Sequence, residues 1–286
     1  MVSGSFTGVG LGLRNPHLAE VAVKNPGVPF WEIAPENVIG DGGYQDRITW
    51  EILGRDSIIS HGLGLSLGGF DPFDPGYLEQ LRQFLEAADS PWHSEHLCFT
   101  TVDGATTHEL LPMPLTRASA RHAIRRSREL KAQLPVPFLL ENITYYAELG
   151  ASDLDECDWL ADILEGADVG WLLDINNVYV NALNHNFDPI AWLLRTPLQR
   201  VAQIHIAGHE AMHGLVVDTH GAPVIPPVIQ LLEWVLPRIG RPIPVLLERD
   251  NAIPPLAELL RERQELQSVY NGVFAKTAFA EEAAHA

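Results

Sequence analysis

Cysteine is nearly absent: two residues, Cys98 and Cys157, in a chain of 286. Two thiols without CxxC spacing make neither a disulfide framework nor a thiolate metal site, so a reducing compartment is expected, with both side chains serving as small buried hydrophobes. Positive charge is scarce as well. There are 19 Lys and Arg against 37 Asp and Glu, a formal net charge of -18. That field repels a phosphate backbone and argues against nucleic acid as a ligand. One basic cluster, Arg121, Arg125, Arg126, Arg128 and Lys131, has helical spacing; it reads as a solvated helix face, with a docking surface for an acidic peptide as the subordinate reading. No apolar run reaches the roughly 18 residues of a membrane helix, and the first residues, Met1-Val2-Ser3-Gly4, lack the basic and apolar regions of a secretory signal. The expectation is a cytoplasmic protein with no membrane contact.

Also missing are an internal repeat, a P-loop lysine and a nucleophile elbow. The glycines of Gly8-Val-Gly10-Leu-Gly12 and of the stretch Gly62, Gly64, Gly68, Gly69 do not make a nucleotide fingerprint, because neither opens a helix with an acidic partner downstream. They read instead as points of close backbone approach and sharp turns at the mouth of a barrel. Ser94 is not in a strand-turn-helix elbow, which leaves no case for Ser-His-Asp chemistry.

What the chain does have is apolar material, 46% of its residues, in a regular order. Short apolar runs occupy 7–13, 30–33, 57–60, 92–96, 137–140, 169–173, 201–206 and 244–247. All but the first are near-continuous in apolar residues apart from their ends, as expected of parallel strands covered on both faces. Helical segments are predicted at 45–53, 75–88, 117–133, 155–166, 189–194, 227–239 and 254–267, with a brief one within 15–25. Asp74-Pro75, Thr116 and Asp188-Pro189 supply the capping side chains that first turns require. Alternating strands and helices over this length predict an α/β fold, a TIM-type (β/α)8 barrel, which commonly takes about 250 residues as one domain. The barrel is expected to span 1–272, with 273–286 as a C-terminal tail that forms a short helix or a frayed end.

Alternation alone does not separate a closed barrel from an open sheet; the polar residues do. Past the successive strands stand Arg14, then Glu32 with Glu36 and Asn37, His61, Glu95 and His96, Glu141 and Asn142, Asp174 with Asn176 and Asn177, His205, and Glu248 with Asp250. Chemistry drawn from the C-terminal ends of every strand is the barrel pattern, whereas an open sheet concentrates its site at one switch point. Carboxylates this numerous repel one another in a cavity unless cations hold them together. His, Asp, Glu and Asn without thiolate suit an open iron, manganese or zinc site, and more than four ligands imply more than one ion, with a carboxylate such as Glu141 able to bridge. After the seventh strand come His205, His209, His213, Asp218 and His220. In an extended segment Asp218 and His220 project to one side and reach the same ion, and Asp174 and Asn176 follow the same i, i+2 logic. His213 lies later in a loop and is left out. The alternative for this segment is a polar surface loop.

With these motifs the sequence resembles the multinuclear non-haem iron-dependent oxidative enzymes, the family that includes the methanobactin-biosynthesis oxidase. The resemblance runs from Gly8 to about Leu260 and rests on Gly8 to Arg14, Trp31 to Asn37, His61-Gly62, Ser94 to Leu97, Leu111 to Pro114, Glu141 to Ile143, Leu173 to Tyr179, Ile204 to His209, Asp218 to Gly221 and Glu248 to Asp250. It implies a TIM barrel with two or three iron ions in a mixed-valent Fe(II)/Fe(III) state. His61, His96 and Glu141 would hold one ion; Glu141 would bridge to a second on Asp174, His205 and Glu248; Asn176, His209, Asp218 and His220 would form a third site. The implied activity is oxidation by dioxygen of cysteine in a ribosomally made precursor peptide, with a small partner protein presenting that peptide. Two other readings stay open: another di- or trinuclear barrel enzyme of sugar isomerase or endonuclease type, and a metal-binding scaffold without catalysis.

Overall fold

Each of the eight apolar runs becomes a strand, and the strands join into one closed sheet in the computed structural model, which describes residues 6–39, 44–147, 150 and 152–284. The chain opens with β1 (Gly8–Gly12), α1 (Leu18–Lys24), β2 (Trp31–Ile33), α2 (Tyr44–Leu53), β3 (Ile58–Gly62) and α3 (Pro75–Ala87). It continues through β4 (His93–His96), a hairpin of β5 (Phe99–Val102) and β6 (Ala105–Leu111), α4 (Arg117–Lys131), β7 (Phe138–Glu141) and α5 (Glu156–Ala167). Then come β8 (Gly170–Asp174), α6 (Ile175–His185), α7 (Pro189–Leu194), β9 (Val201–Ile206) and a second hairpin of β10 (Glu210–Met212) and β11 (Leu215–Val217). The last elements are α8 (Pro226–Ile239), β12 (Pro244–Leu247) and α9 (Leu256–Ala284). The barrel runs β1-β2-β3-β4-β7-β8-β9-β12 with every pairing parallel, and β12 closes on β1. No helix among the described residues is long and apolar enough to cross a membrane.

The helices form where caps and periodicity coincide. Asp74 accepts from the amides of Gly76 (2.7 Å) and Tyr77, Pro75 sits in the first turn, and Leu78, Leu81, Phe84 and Leu85 recur on the face that α3 buries. Each such side chain removed from water contributes roughly 1.5–3 kcal/mol. Thr116 and Ser119 form a reciprocal capping box on α4.

Four features depart from the sequence-based expectation. A helix, α6, begins directly after β8 where an extended segment is expected, and two hairpins extend from the loops after β4 and β9. The basic cluster is not wholly solvated: Arg126 is buried and its guanidinium lies 3.5 Å from the centre of the Phe73 ring. Finally, α9 runs unbroken across Gly272, where the sequence suggests a boundary between barrel and tail.

The barrel interior is graded from apolar to polar. Phe30, Ile59, Trp92, Leu139, Leu172 and Leu246 form a dry floor. Side chains alternate along a strand, so two residues further on the same strands put Glu32, His61, Ser94, Glu141, Asp174 and Glu248 above it. Strand β1 offers glycines to this interior. A β-carbon at Gly10 would occupy the position of the Phe30 ring, and one at Gly12 would stand 2.9 Å from the Arg14 guanidinium, so the Gly-x-Gly-x-Gly run makes room for one floor residue and one rim residue.

Candidate metal centre

Buried strand ends bring the predicted residues together. His61 Nε2 lies 3.1 Å and His96 Nε2 3.3 Å from the same oxygen, Glu141 Oε2. His205 Nδ1 lies 3.0 Å from Glu248 Oε2 and 3.5 Å from Glu141 Oε1. The ligand atoms of His61, His96 and Glu141 fall within 4.8 Å of one another, and so do those of Glu141, Asp174, His205 and Glu248. Glu141 is thus common to both sets, offering one oxygen to each side.

The residues after β9 form the outer part of the cluster in a geometry that differs from the expected one. Asn176 is not in an extended segment; it lies in the first turn of α6, whose N-cap Asp174 accepts from the Asn177 amide at 2.7 Å. Asp218 follows β11, and His220 adopts φ +46°, so the pair is joined by a turn rather than a strand. The side chains meet nonetheless. Asn176 Nδ2 donates to Asp218 Oδ1 (2.6 Å), His209 Nδ1 lies 2.8 Å from Asn176 Oδ1, and His220 Nε2 lies 2.8 Å from Asp218 Oδ1. The other nitrogen of His220 faces Glu248 (3.4 Å) and Asp250 (3.3 Å), so His220, Glu248 and Asp250 make a third compact set, and Asp250 joins residues that the sequence pattern did not assign as ligands.

The donor set fits cations better than hydrogen bonds. Glu141 Oε2, Asp174 Oδ2, His205 Nδ1 and His220 Nε2 are buried and make no hydrogen bond, although each lies near a partner of opposite character. Close approach in a geometry unsuited to hydrogen bonds is the arrangement of side chains that can converge on a shared ion. Charge points the same way: Glu32, Glu141, Asp174, Asp218, Glu248 and Asp250 belong to the cluster, and Arg14 is bound only to Glu248 (3.2 Å) and Asp250 (2.5 Å) among them. Burial pushes the Asp174 carboxyl well above the usual range, with Glu141 and Asp218 adding to it, and burial holds His61 well below the usual range together with its neighbours His96 and His205. Burial also opposes charge on His205, but Glu32, Glu248 and Glu141 outweigh it and raise that imidazole. A bound cation relieves the strain on Asp174 and replaces the proton that the carboxylates around His205 invite.

Polar groups beneath the centre were not assigned from sequence. Ser94 Oγ lies 2.9 Å from His61 Nδ1, leaving Nε2 for Glu141. Glu32 Oε2 lies 2.9 Å from His205 Nε2 and accepts from Gln203 Nε2 at 2.5 Å, and Gln203 Oε1 accepts from Trp92 Nε1 at 2.8 Å. The register of β8 on β9 shifts at Trp171/Leu172, which puts Gln203 and His205 level with the other inward residues. Two strand-end candidates fall outside the centre, Glu95 by strand parity and Glu36 by its place in the turn Pro35–Asn37 after β2. Glu95 neighbours His96 but points away from the barrel axis, towards His93 (3.6 Å), and Glu36 accepts from the amides of Leu63 and Gly64 and from the Tyr77 hydroxyl. Both brace the loop after β3 instead of facing the centre.

The sequence matches a family model described as "RiPP precursor modification enzyme MbnB/TglH/ChrH" over residues 8–271. A UPF0276 protein of Shewanella loihica is 42% identical over 256 residues, covering 89% of this chain and 91% of the relative. A UPF0276 protein of Pseudomonas aeruginosa is 41% identical over 265 residues, covering 92% of each. Among solved structures, D-psicose 3-epimerase of Clostridium cellulolyticum H10 superposes with a TM-score of 0.57 at 13% identity, over 96% of this chain and 99% of that one. A xylose isomerase domain protein of Alicyclobacillus acidocaldarius gives 0.57 at 17% identity, over 93% and 100%. At such identities these two structures share the barrel and carry no argument about chemistry.

Proposed function

The chain belongs to the family of RiPP precursor modification enzymes, which act on ribosomally made peptides, and on that premise we propose that it is a multinuclear iron-dependent oxidase that uses dioxygen to modify cysteine in such a peptide. The observation that carries this reading is the position of Glu141 between two sets of buried ligand atoms. His61, His96 and Glu141 would hold one iron, Glu141, Asp174, His205 and Glu248 a second, and Asn176, His209, Asp218 and His220 a third. Bound iron would supply redox capacity towards dioxygen and a Lewis acid for the substrate thiolate.

The protein's own groups do the rest. Strand ends fix the ligands on a rigid frame, and the dry floor of Phe30, Trp92 and Leu246 keeps water from entering through the bottom of the barrel. Burial opposes charge on Glu248, but His205, His220 and Arg14 outweigh it and hold its carboxyl well below the usual range, so it stays ready to bind a cation. The chain's own thiols are kept out of the chemistry: both cysteines are buried, and burial pushes Cys157 up to about 12. The loops at the mouth expose Leu63, Phe70, Val102, Tyr146, Met212 and Leu215, a surface suited to an extended peptide or to the small partner that presents it.

The test is anaerobic reconstitution with Fe(II), followed by oxygen uptake in the presence of a cysteine-containing precursor peptide and mass spectrometry of the product. Oxygen consumption should require the peptide and cease when its cysteine is replaced by serine. Equal turnover with zinc in place of iron would rule out the oxidase.

A further inference from the structure

The two histidine-bearing sides of the cluster are held by chemically different partners. His61 rests on the neutral hydroxyl of Ser94, whereas His205 rests on a carboxylate, Glu32, at 2.9 Å. The polarity of the second arrangement is fixed from the barrel floor upward. An indole N–H can only donate, so the 2.8 Å contact of Trp92 Nε1 makes the facing atom of Gln203 its carbonyl oxygen, and the Gln203 amide must then donate to Glu32 Oε2 at 2.5 Å. The same amide nitrogen also lies 3.1 Å from His205 Nε2, but the closer neighbour of that nitrogen is Glu32 Oε2 at 2.9 Å, which accepts as a carboxylate, so the proton of the Glu32–His205 contact is assigned to His205 Nε2. That leaves Nδ1 as the nitrogen available to a cation, and Nδ1 is the atom that faces Glu248 (3.0 Å) and Glu141 (3.5 Å). All four side chains are almost fully buried, with Gln203 and His205 at 0% exposure, so water does not compete for these bonds.

We propose that Glu32, with Gln203 and Trp92 behind it, is a positioning residue that fixes the tautomer of His205 and makes its side of the centre prefer the more highly charged of two metal ions. One set offers two histidines and a share of Glu141. The other offers Asp174, Glu248 and the rest of Glu141, with an imidazole backed by a further carboxylate. A carboxylate behind a ligating imidazole raises its donor strength, so in a mixed-valent pair the ferric ion belongs on the His205 side and the ferrous ion on the His61 and His96 side. The inference rests on the metal-centre reading above.

Glu32→Gln keeps the size of the side chain and removes its charge; Glu32→Asp keeps the charge. Fe(II) affinity is measured by chelator competition, and the ferric share by Mössbauer spectroscopy at a fixed potential. Glu32→Gln should weaken one ion about 10–100-fold, leave the other unchanged and lower the ferric share, with Glu32→Asp recovering part of each. A folded Glu32→Gln protein with wild-type affinity and an unchanged spectrum overturns the proposal. Should the variant not fold, Co(II)-loaded wild type serves: its NMR spectrum should contain a hyperfine-shifted imidazole N–H from His205 that exchanges slowly with solvent, and the lack of one overturns the proposal equally. Wild-type protein that takes up no metal removes the oxidase reading and this inference together, whereas loaded wild type beside an unaffected Glu32→Gln removes this inference alone.

Discussion

Glu141 offers one oxygen to His61 and His96 and the other to His205, and this division has a measurable consequence. Glu141→Gln should lose more than one metal per chain, whereas His61→Ala should lose about one; elemental analysis of the desalted proteins checks the difference, and equal losses contradict the shared carboxylate. The two cysteines give a second residue-scale prediction. Burial raises both thiols, Cys157 to about 12, so each stays protonated across the working pH range and only the unfolded chain exposes thiolate. Iodoacetamide at pH 8 should therefore label neither residue in the native protein and both in denaturant. The central residues of the cluster were readable from sequence because they stand at strand ends, where alternation puts i and i+2 on one face: Leu139 with Glu141, Leu172 with Asp174, Leu246 with Glu248. The same parity sends Glu95 outwards. Local spacing could not reveal Glu32 as the partner of His205, since 173 residues separate them and only closure of the barrel brings them together.

At the scale of elements, Asp174 has two tasks: one oxygen caps α6 and the other faces the centre without a hydrogen bond. Asparagine is as good an N-cap as aspartate but a poorer cation ligand. Metal-free Asp174→Asn should exceed Asp174→Ala in stability by about 1 kcal/mol in denaturant titration, while both bind less metal than wild type; equal stabilities would show that the cap contributes nothing. The eight strands were legible because barrel strands are apolar on both faces, and α6 was not, because it starts on the residue directly after β8 with no turn between them. The two hairpins escaped notice for a different reason. Their residues are exposed through most of β6 and all of β10, so they lack the apolar signature that marks a strand.

Across the whole molecule, a net charge of -18 is compounded by a buried group of carboxylates that repel one another when no cation is present. Metal and folding are therefore linked, since an ion that binds only the native state stabilises it by about 2.7 kcal/mol at one hundred times its dissociation constant. For a chain of this size that corresponds to a rise of several degrees in Tm. Calorimetry with and without a strong chelator should show the metal-free protein melting lower, and the gap should shrink in Glu141→Gln; a Tm indifferent to metal would mean that the cluster holds none.

The central claim is that strand ends remote in sequence share cations through one carboxylate. Anomalous diffraction at the iron edge, from crystals of anaerobically reconstituted protein, tests it most directly. The account predicts separate iron peaks on the two sides of Glu141, one against His61 and His96 and the other against Asp174, His205 and Glu248. A single peak away from Glu141, or none inside the barrel, would contradict it.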